Sequence, residues 1–135
     1  MSRCPSASTL EAAPIVSETV IIVGAGQAAG QAVASLRQEG FDGRIVLVGA
    51  EPVLPYQRPP LSKAFFFFFL PLERLFLKPP AFYEQARVDT LLGVAVTELD
   101  ATRRQVRLDD GRELAFDHLL LATGGRARRL DCPGA

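Results

Sequence analysis

Hydrophobic and polar positions divide the chain into segments of different period. Residues 20–23 are a continuous β-branched run, Val-Ile-Ile-Val, stopped by Gly24. A run apolar on both faces suits the central strand of a parallel sheet. From residue 26 to 39 the apolar positions Ala28, Ala32, Val33 and Leu36 recur at helical spacing among Gln, Arg and Glu, and Gly40 follows as a natural helix stop. Residues 44–48 form a second apolar strand. The pattern predicts a right-handed β–α–β crossover over 20–48.

The pattern then changes. Residues 51–63 hold Pro52, Pro55, Pro59 and Pro60 and predict an extended loop. Residues 72–87 read as helix in two pieces broken at Pro79 and Pro80, the second covering 81–87. From Val88 the period drops to two. Strands are expected over 94–97, 105–108 and 113–116, with Asp110-Gly111 as the hairpin between the last two. Residues 118–122 form another continuous apolar strand running into Thr123-Gly124-Gly125. The fold expected is α/β: a parallel sheet with 20–23 central, plus a small antiparallel meander. Residues 1–17 read as a flexible arm, 18–125 as the folded domain, and 126–135, with Arg126, Arg128 and Arg129, as a linker.

Five consecutive phenylalanines, 65–69, break every period. Five in a row face all directions, so they are expected at the surface or under a partner, and they are an aggregation hazard.

The 135 residues fit one domain. Fifteen Lys and Arg balance fifteen Asp and Glu, which speaks against a nucleic-acid module. Cys4 and Cys132 lie near opposite ends with no CxxC spacing, so no metal site is expected, and two free thiols suit a cytoplasmic setting. The first 18 residues lack the apolar core of a signal peptide, and residues 64–70 are too short an apolar run to span a membrane. His118, the only histidine, opens a strand and is expected at its edge.

The chemistry sits between the first strand and the first helix. Gly24-Ala25-Gly26-Gln27-Ala28-Ala29-Gly30 is a GxGxxG turn in the context a dinucleotide site requires. Gly24 permits the tight turn, Gly26 lets a pyrophosphate approach the backbone, and Gly30 lets the helix lie close to the strand. The helix N-terminus offers free amides to phosphate. Glu51 stands 21 residues after Gly30, close to the spacing of a ribose-binding acid.

Beyond that turn, VGAGQAAG, the run E-P-x-x-P-Y-x-R-P-P-L-S-K and L-L-L-A-T-G resemble the FAD-dependent pyridine nucleotide reductases of the ferredoxin, rubredoxin and putidaredoxin reductase type. The resemblance covers about residues 19–131. It implies a Rossmann-like FAD-binding domain, incomplete relative to the family. It assigns Gly24, Gly26, Ala28 and Gly30 to the FAD pyrophosphate and Glu51 to the adenosine ribose. Arg58 and Lys63 become flavin-side contacts, Val96 a backbone contact to adenine, and Ala122, Thr123 and Gly124 the turn closing over the cofactor. No catalytic residue is assigned. The function implied is transfer of electrons from NAD(P)H through FAD to ferredoxin, rubredoxin or a similar iron–sulfur or iron protein. The absence of a CxxxxC pair separates the chain from disulfide-reducing relatives. With one GxGxxG turn in 135 residues, the chain alone is expected to lack a nicotinamide domain and to be inactive. The rival reading is a non-catalytic FAD- or ADP-binding module.

Overall fold

A computed structural model describes residues 17–128, Asp131 and Cys132. The expectations for the N-terminal arm, for Cys4 and for Arg129 lie outside the described residues. Strand β1 (Thr19–Val23) leads into helix α1 (Gln27–Gln38), and β2 (Arg44–Gly49) returns beside β1. A 59–62 one-turn 3₁₀ segment and another at 72–74 precede a short helix α2 (Pro80–Gln85). Strands β3 (Val88–Leu92), β4 (Val96–Asp100), β5 (Gln105–Leu108), β6 (Glu113–Ala115) and β7 (His118–Leu121) complete the chain.

The four parallel strands run in the order β3-β2-β1-β7, and β4-β5-β6 form a separate antiparallel sheet. β1 is flanked on both sides, with Ile21 opposite Val46 and Leu119. Its pleat divides the core in two. Val20 and Ile22 face α1 and α2 and pack with Ala29, Val33, Ile45, Leu47 and Tyr83. Ile21 and Val23 face the meander and pack with Val46, Val48, Val106 and Leu108. This is why β1 is apolar over 20–23 and β2 over 45–48: each is covered by helix on one face and by sheet on the other.

Polar groups tie the layers. The Arg37 guanidinium, at the end of α1, donates to the carbonyls of Phe41, Gly43, Ala86 and Arg87. It thereby joins the α1–β2 turn to the turn between α2 and β3. The Thr19 amide donates to the Asp117 carboxylate at 2.7 Å, and the Asp117 amide donates to the Thr19 carbonyl at 2.9 Å, which sets the start of β7 against that of β1.

Four local expectations are corrected. β3 is a strand that the periodicity did not separate: VDTLL is an edge strand whose Asp89 faces solvent and pairs with Arg44 at 2.7 Å. The helix expected from residue 72 is only a 3₁₀ turn, because residues 75–77 instead hydrogen-bond to residues 55–57. The proline loop is likewise not extended throughout: Pro59 and Pro60 open the first 3₁₀ turn. The strand expected at 94–97 starts two residues later, at Val96. The hairpin at Asp110-Gly111, the edge position of His118 and the meander stand as expected.

The phenylalanine run forms consecutive turns at the surface. Phe68 is 96% exposed and Phe69 82%. Phe68 also has a positive φ of 59°, strained for a bulky side chain. Replacing residues 66–69 by a Ser/Asn/Gly segment is therefore expected to reduce aggregation without lowering the melting temperature, as light scattering and thermal denaturation would show. A fall in melting temperature would mean that these rings pack against the fold.

Tyr83 is 2% exposed, and its hydroxyl has no hydrogen-bond partner among the described residues. Burial raises its phenol from 10.0 to about 12. The phenolate is disfavoured in the fold, so stability is intact below pH 10 and falls away between pH 10 and about 12. Tyr83→Phe removes the unpartnered hydroxyl. It is expected to stabilise the chain by about 1 kcal/mol and to move alkaline unfolding to higher pH. Denaturant titrations at pH 7 and pH 11 check both; unchanged alkaline behaviour would remove Tyr83 as its source.

Candidate functional site

The chain runs β1, β2, β3 in one direction across the sheet and then returns to place β7 on the other side of β1. In parallel α/β sheets the crevice outside the carboxyl ends at such a reversal is where ligands bind. Here it lies at the ends of β1 and β7, and three loops meet around it.

The first loop is the glycine turn. Gly24 has φ +111°, and its amide donates to the Val48 carbonyl at 2.7 Å. A Cβ there would lie 2.2 Å from the Ala122 carbonyl oxygen. Only glycine lets the ends of β1 and β7 approach this closely. Gly26 is different. It caps α1 with φ −90°, and a Cβ built on it would meet nothing within 4 Å. The chain's own packing does not demand glycine at 26, whereas a group lying against the backbone would. No side chain caps this end of α1 and its first turn carries no acid, so its amides are open to an anionic ligand. The residues present thus fit a pyrophosphate.

Gly30 departs from expectation. Its close neighbours are Pro55 and Leu77, at 3.0 and 3.2 Å from a built Cβ, rather than the first strand. Its missing side chain admits the 55–57/75–77 pairing onto α1. Ala28 is exposed on the same turn. Gln27, Ala28, Gly30, Gln31, Leu77 and Lys78 line a shallow cavity of about 300 Å³ beside it.

The second loop follows β2. Glu51 accepts from Arg58 Nη2 at 2.6 Å on Oε1 and from the Tyr56 hydroxyl at 2.7 Å on Oε2. The Arg58 guanidinium also lies 5.6 Å from the centroid of the Tyr56 ring. The hydrogen bond to Glu51 is the main cause that raises the Tyr56 phenol above its ordinary value, so the hydroxyl remains a donor. Sequence reasoning missed Tyr56; its neighbours in the motif were the only signal. Lys63 ends the 3₁₀ turn with its amide bonded to Pro60, and no hydrogen bond or ion pair among the described residues joins it to Glu51 or to the glycine turn.

The third loop follows β7. The Ala122 amide donates to Val23 at 2.8 Å, and Thr123 and Gly124, the latter with φ +69°, emerge beside Gly24. Val96 opens β4, and its side chain packs in the core facing the meander. The link before it is fixed to the second loop: the Gly93 amide donates to the Glu51 carbonyl and the Val94 amide to Gly49. The glycine turn, Glu51 with Arg58, and Ala122–Gly124 are therefore brought to one end of the sheet, while Lys63 and Val96 are placed at its periphery. Among the described residues no group of three or more His, Cys, Asp or Glu is placed to hold a metal, and no helix is long and apolar enough to cross a membrane.

Comparison with known proteins agrees with this geometry. The chain is 46% identical to a ferredoxin–NAD(P)(+) reductase of Sphingomonas sp. over 85% of its length and 28% of the relative's. It is 44% identical to a rhodocoxin reductase of Rhodococcus erythropolis, over 87% of its length and 27% of the relative's. It thus spans little more than a quarter of these relatives. Among solved structures it superposes on putidaredoxin reductase in a covalent complex with putidaredoxin, with a TM-score of 0.80 and 44% identity, covering 87% of this chain and 28% of that one. A NADH:rubredoxin oxidoreductase of Clostridium acetobutylicum gives 0.75 and 25%, over 87% and 30%. Both share the Rossmann-like arrangement seen here. Residues 18–135 match the pyridine nucleotide-disulphide oxidoreductase family, to which the chain belongs.

Proposed function

We propose that this chain is the FAD-binding portion of an NAD(P)H-dependent reductase that delivers electrons to a ferredoxin, rubredoxin or similar small electron-transfer protein. The convergence of the glycine turn, Glu51 and Ala122–Gly124 at the reversal of the sheet carries this reading. The similarity to a ferredoxin–NAD(P)(+) reductase and a rhodocoxin reductase supports the choice of partner.

The flavin, when bound, supplies the step between a two-electron donor and a one-electron acceptor. This chain's residues bind and orient it. The α1 N-terminus and the bare backbone at Gly26 receive the pyrophosphate, with Ala28 and Gly30 completing the turn. Glu51 accepts hydrogen bonds from the adenosine ribose. Lys63 supplies positive charge at the end of the 58–63 segment, toward the flavin, where negative charge is to be stabilised, while Arg58 is held on Glu51 at the ribose end. Thr123 and Gly124 close the turn from the β7 side, and the main chain at Val96 borders the adenine.

Gly26→Val puts a branched side chain where the pyrophosphate would lie and leaves the fold intact, because the position is open and its φ is ordinary. FAD affinity is expected to fall at least tenfold, about 1.4 kcal/mol, with an unchanged melting temperature. Unaltered affinity in a flavin-fluorescence titration would refute the assignment of this turn.

The sequence carries a single GxGxxG turn, here committed to the flavin dinucleotide. One such turn holds one dinucleotide, and the high effective molarity of an oriented nicotinamide–flavin pair needs a second site besides it. Reduction of FAD bound to these 135 residues is therefore expected to be slow and linear in NADH concentration. Stopped-flow bleaching of the flavin band checks this, and saturation at micromolar NADH would reveal a nicotinamide site.

A further inference from the structure

The geometry points to Tyr56 as a positioning residue that fixes the Glu51 carboxylate for recognition of a vicinal diol, the 2′- and 3′-hydroxyls of an adenosine ribose. The inference rests on the dinucleotide reading above and adds to it a residue that positions the ribose-binding acid.

Glu51, Tyr56 and Arg58 form a closed set in which each touches the other two. The two hydrogen bonds fall on different carboxylate oxygens, and the guanidinium lies over the phenol ring. Each carboxylate oxygen has two lone-pair directions. One on Oε1 is taken by Arg58 and one on Oε2 by Tyr56, so one remains on each. A carboxylate held this way presents two adjacent acceptors in a set orientation, as a diol requires. A 2′-phosphate in the same place would meet negative charge.

Tyr56 is the fixed member of the set. Its main chain forms a bridge with Phe76, and the pairing continues on either side: the Gln57 amide donates to Leu75 at 2.8 Å and the Leu77 amide to Pro55 at 3.0 Å. Leu75 and Pro55 are both buried, which anchors this pairing in the core. Arg58 gives a single-nitrogen contact, and its side chain is 65% exposed, against 49% for Glu51. Such a pair by itself holds a long carboxylate weakly. The hydroxyl on the anchored ring is what sets the carboxylate's direction.

The test compares ADP with 2′,3′-dideoxy-ADP, each measured by displacement of FAD from the wild-type chain and from Tyr56→Phe. The phenyl ring keeps the stacking and the backbone pairing, so the melting temperature should not change. ADP is expected to bind Tyr56→Phe about five- to tenfold more weakly, the range of one lost hydrogen bond. Dideoxy-ADP is expected to bind both proteins equally, and in a Glu51→Ala background, which leaves no acceptor for either hydroxyl, the Tyr56→Phe effect should disappear. Equal losses for the two nucleotides would reduce Tyr56 to a structural role and overturn the inference. Wild-type protein that binds FAD but does not prefer ADP over dideoxy-ADP would also overturn it, while leaving the dinucleotide reading standing. Wild-type protein that binds neither FAD nor ADP would remove both.

Discussion

The close approach of Gly24 to the Ala122 carbonyl is the constraint on which the site depends. At this point β1 must end, its last amide must reach across to Val48 of β2, and β7 must run out alongside. A side chain at residue 24 would push β7 away from β1 and open the reversal of the sheet. With glycine there, the carboxyl ends of three strands are held together, and every loop that leaves them starts from a fixed place. The two-sided burial of β1 and β2 supplies the rigidity. Because both faces are apolar, a one-residue slip would still bury apolar side chains, so the register is pinned at the strand ends, by the Thr19–Asp117 pair and by the Gly24 amide on Val48.

Two glycines of one motif thus answer different demands. Gly24 is required by the chain's own backbone, and its replacement would disturb the fold. Gly26 is surrounded by open space and adopts a φ available to any residue, so its demand comes from outside the chain. Gly30 meets a third demand, the seating of the 55–57/75–77 pairing on α1. That pairing in turn carries Tyr56 and, through it, the direction of Glu51. The motif is therefore continuous with the second loop: the glycine turn and the Glu51 cluster, the proposed phosphate and ribose ends, are joined by the contact of Gly30 with Pro55 and Leu77.

Local patterns made the first half of this legible. The β-branched run at 20–23 and the helical spacing after Gly26 are properties of neighbouring residues, and the structure places that strand and that helix as read. The meander and its Asp110-Gly111 turn were legible for the same reason. What stayed hidden depends on partners distant in sequence. β3 has a short, mixed sequence, and only its pairing with β2 makes it a strand. Residues 75–77 have helical composition, but main-chain bonds to residues 55–57 and the bridge at Phe76 draw them out of a helix, a tertiary contact that overrides local preference. Tyr56 could not be distinguished from any other loop aromatic until the fold turned its hydroxyl onto Glu51.

The phenylalanine run shows how well the site is insulated from what surrounds it. The run follows Lys63 and ends before Leu72. On its entry side the amides of Lys63 and Phe65 are both tied to the Pro60 carbonyl. On its exit side the Leu75 amide bonds to Leu72, and Leu75 itself accepts from Gln57. The ends are thus fixed by residues that do not belong to the run, and the ends alone connect to Tyr56 and Arg58. A surface loop closed in this way adds an entropic cost that depends weakly on its length and hardly on its composition. Four exposed phenylalanines, 66–69, occupy it without a contact to Glu51, Tyr56 or Arg58 among the hydrogen bonds and ring pairs of the described residues. Any contribution they make to the protein's behaviour must then come through association at the surface rather than through the dinucleotide site.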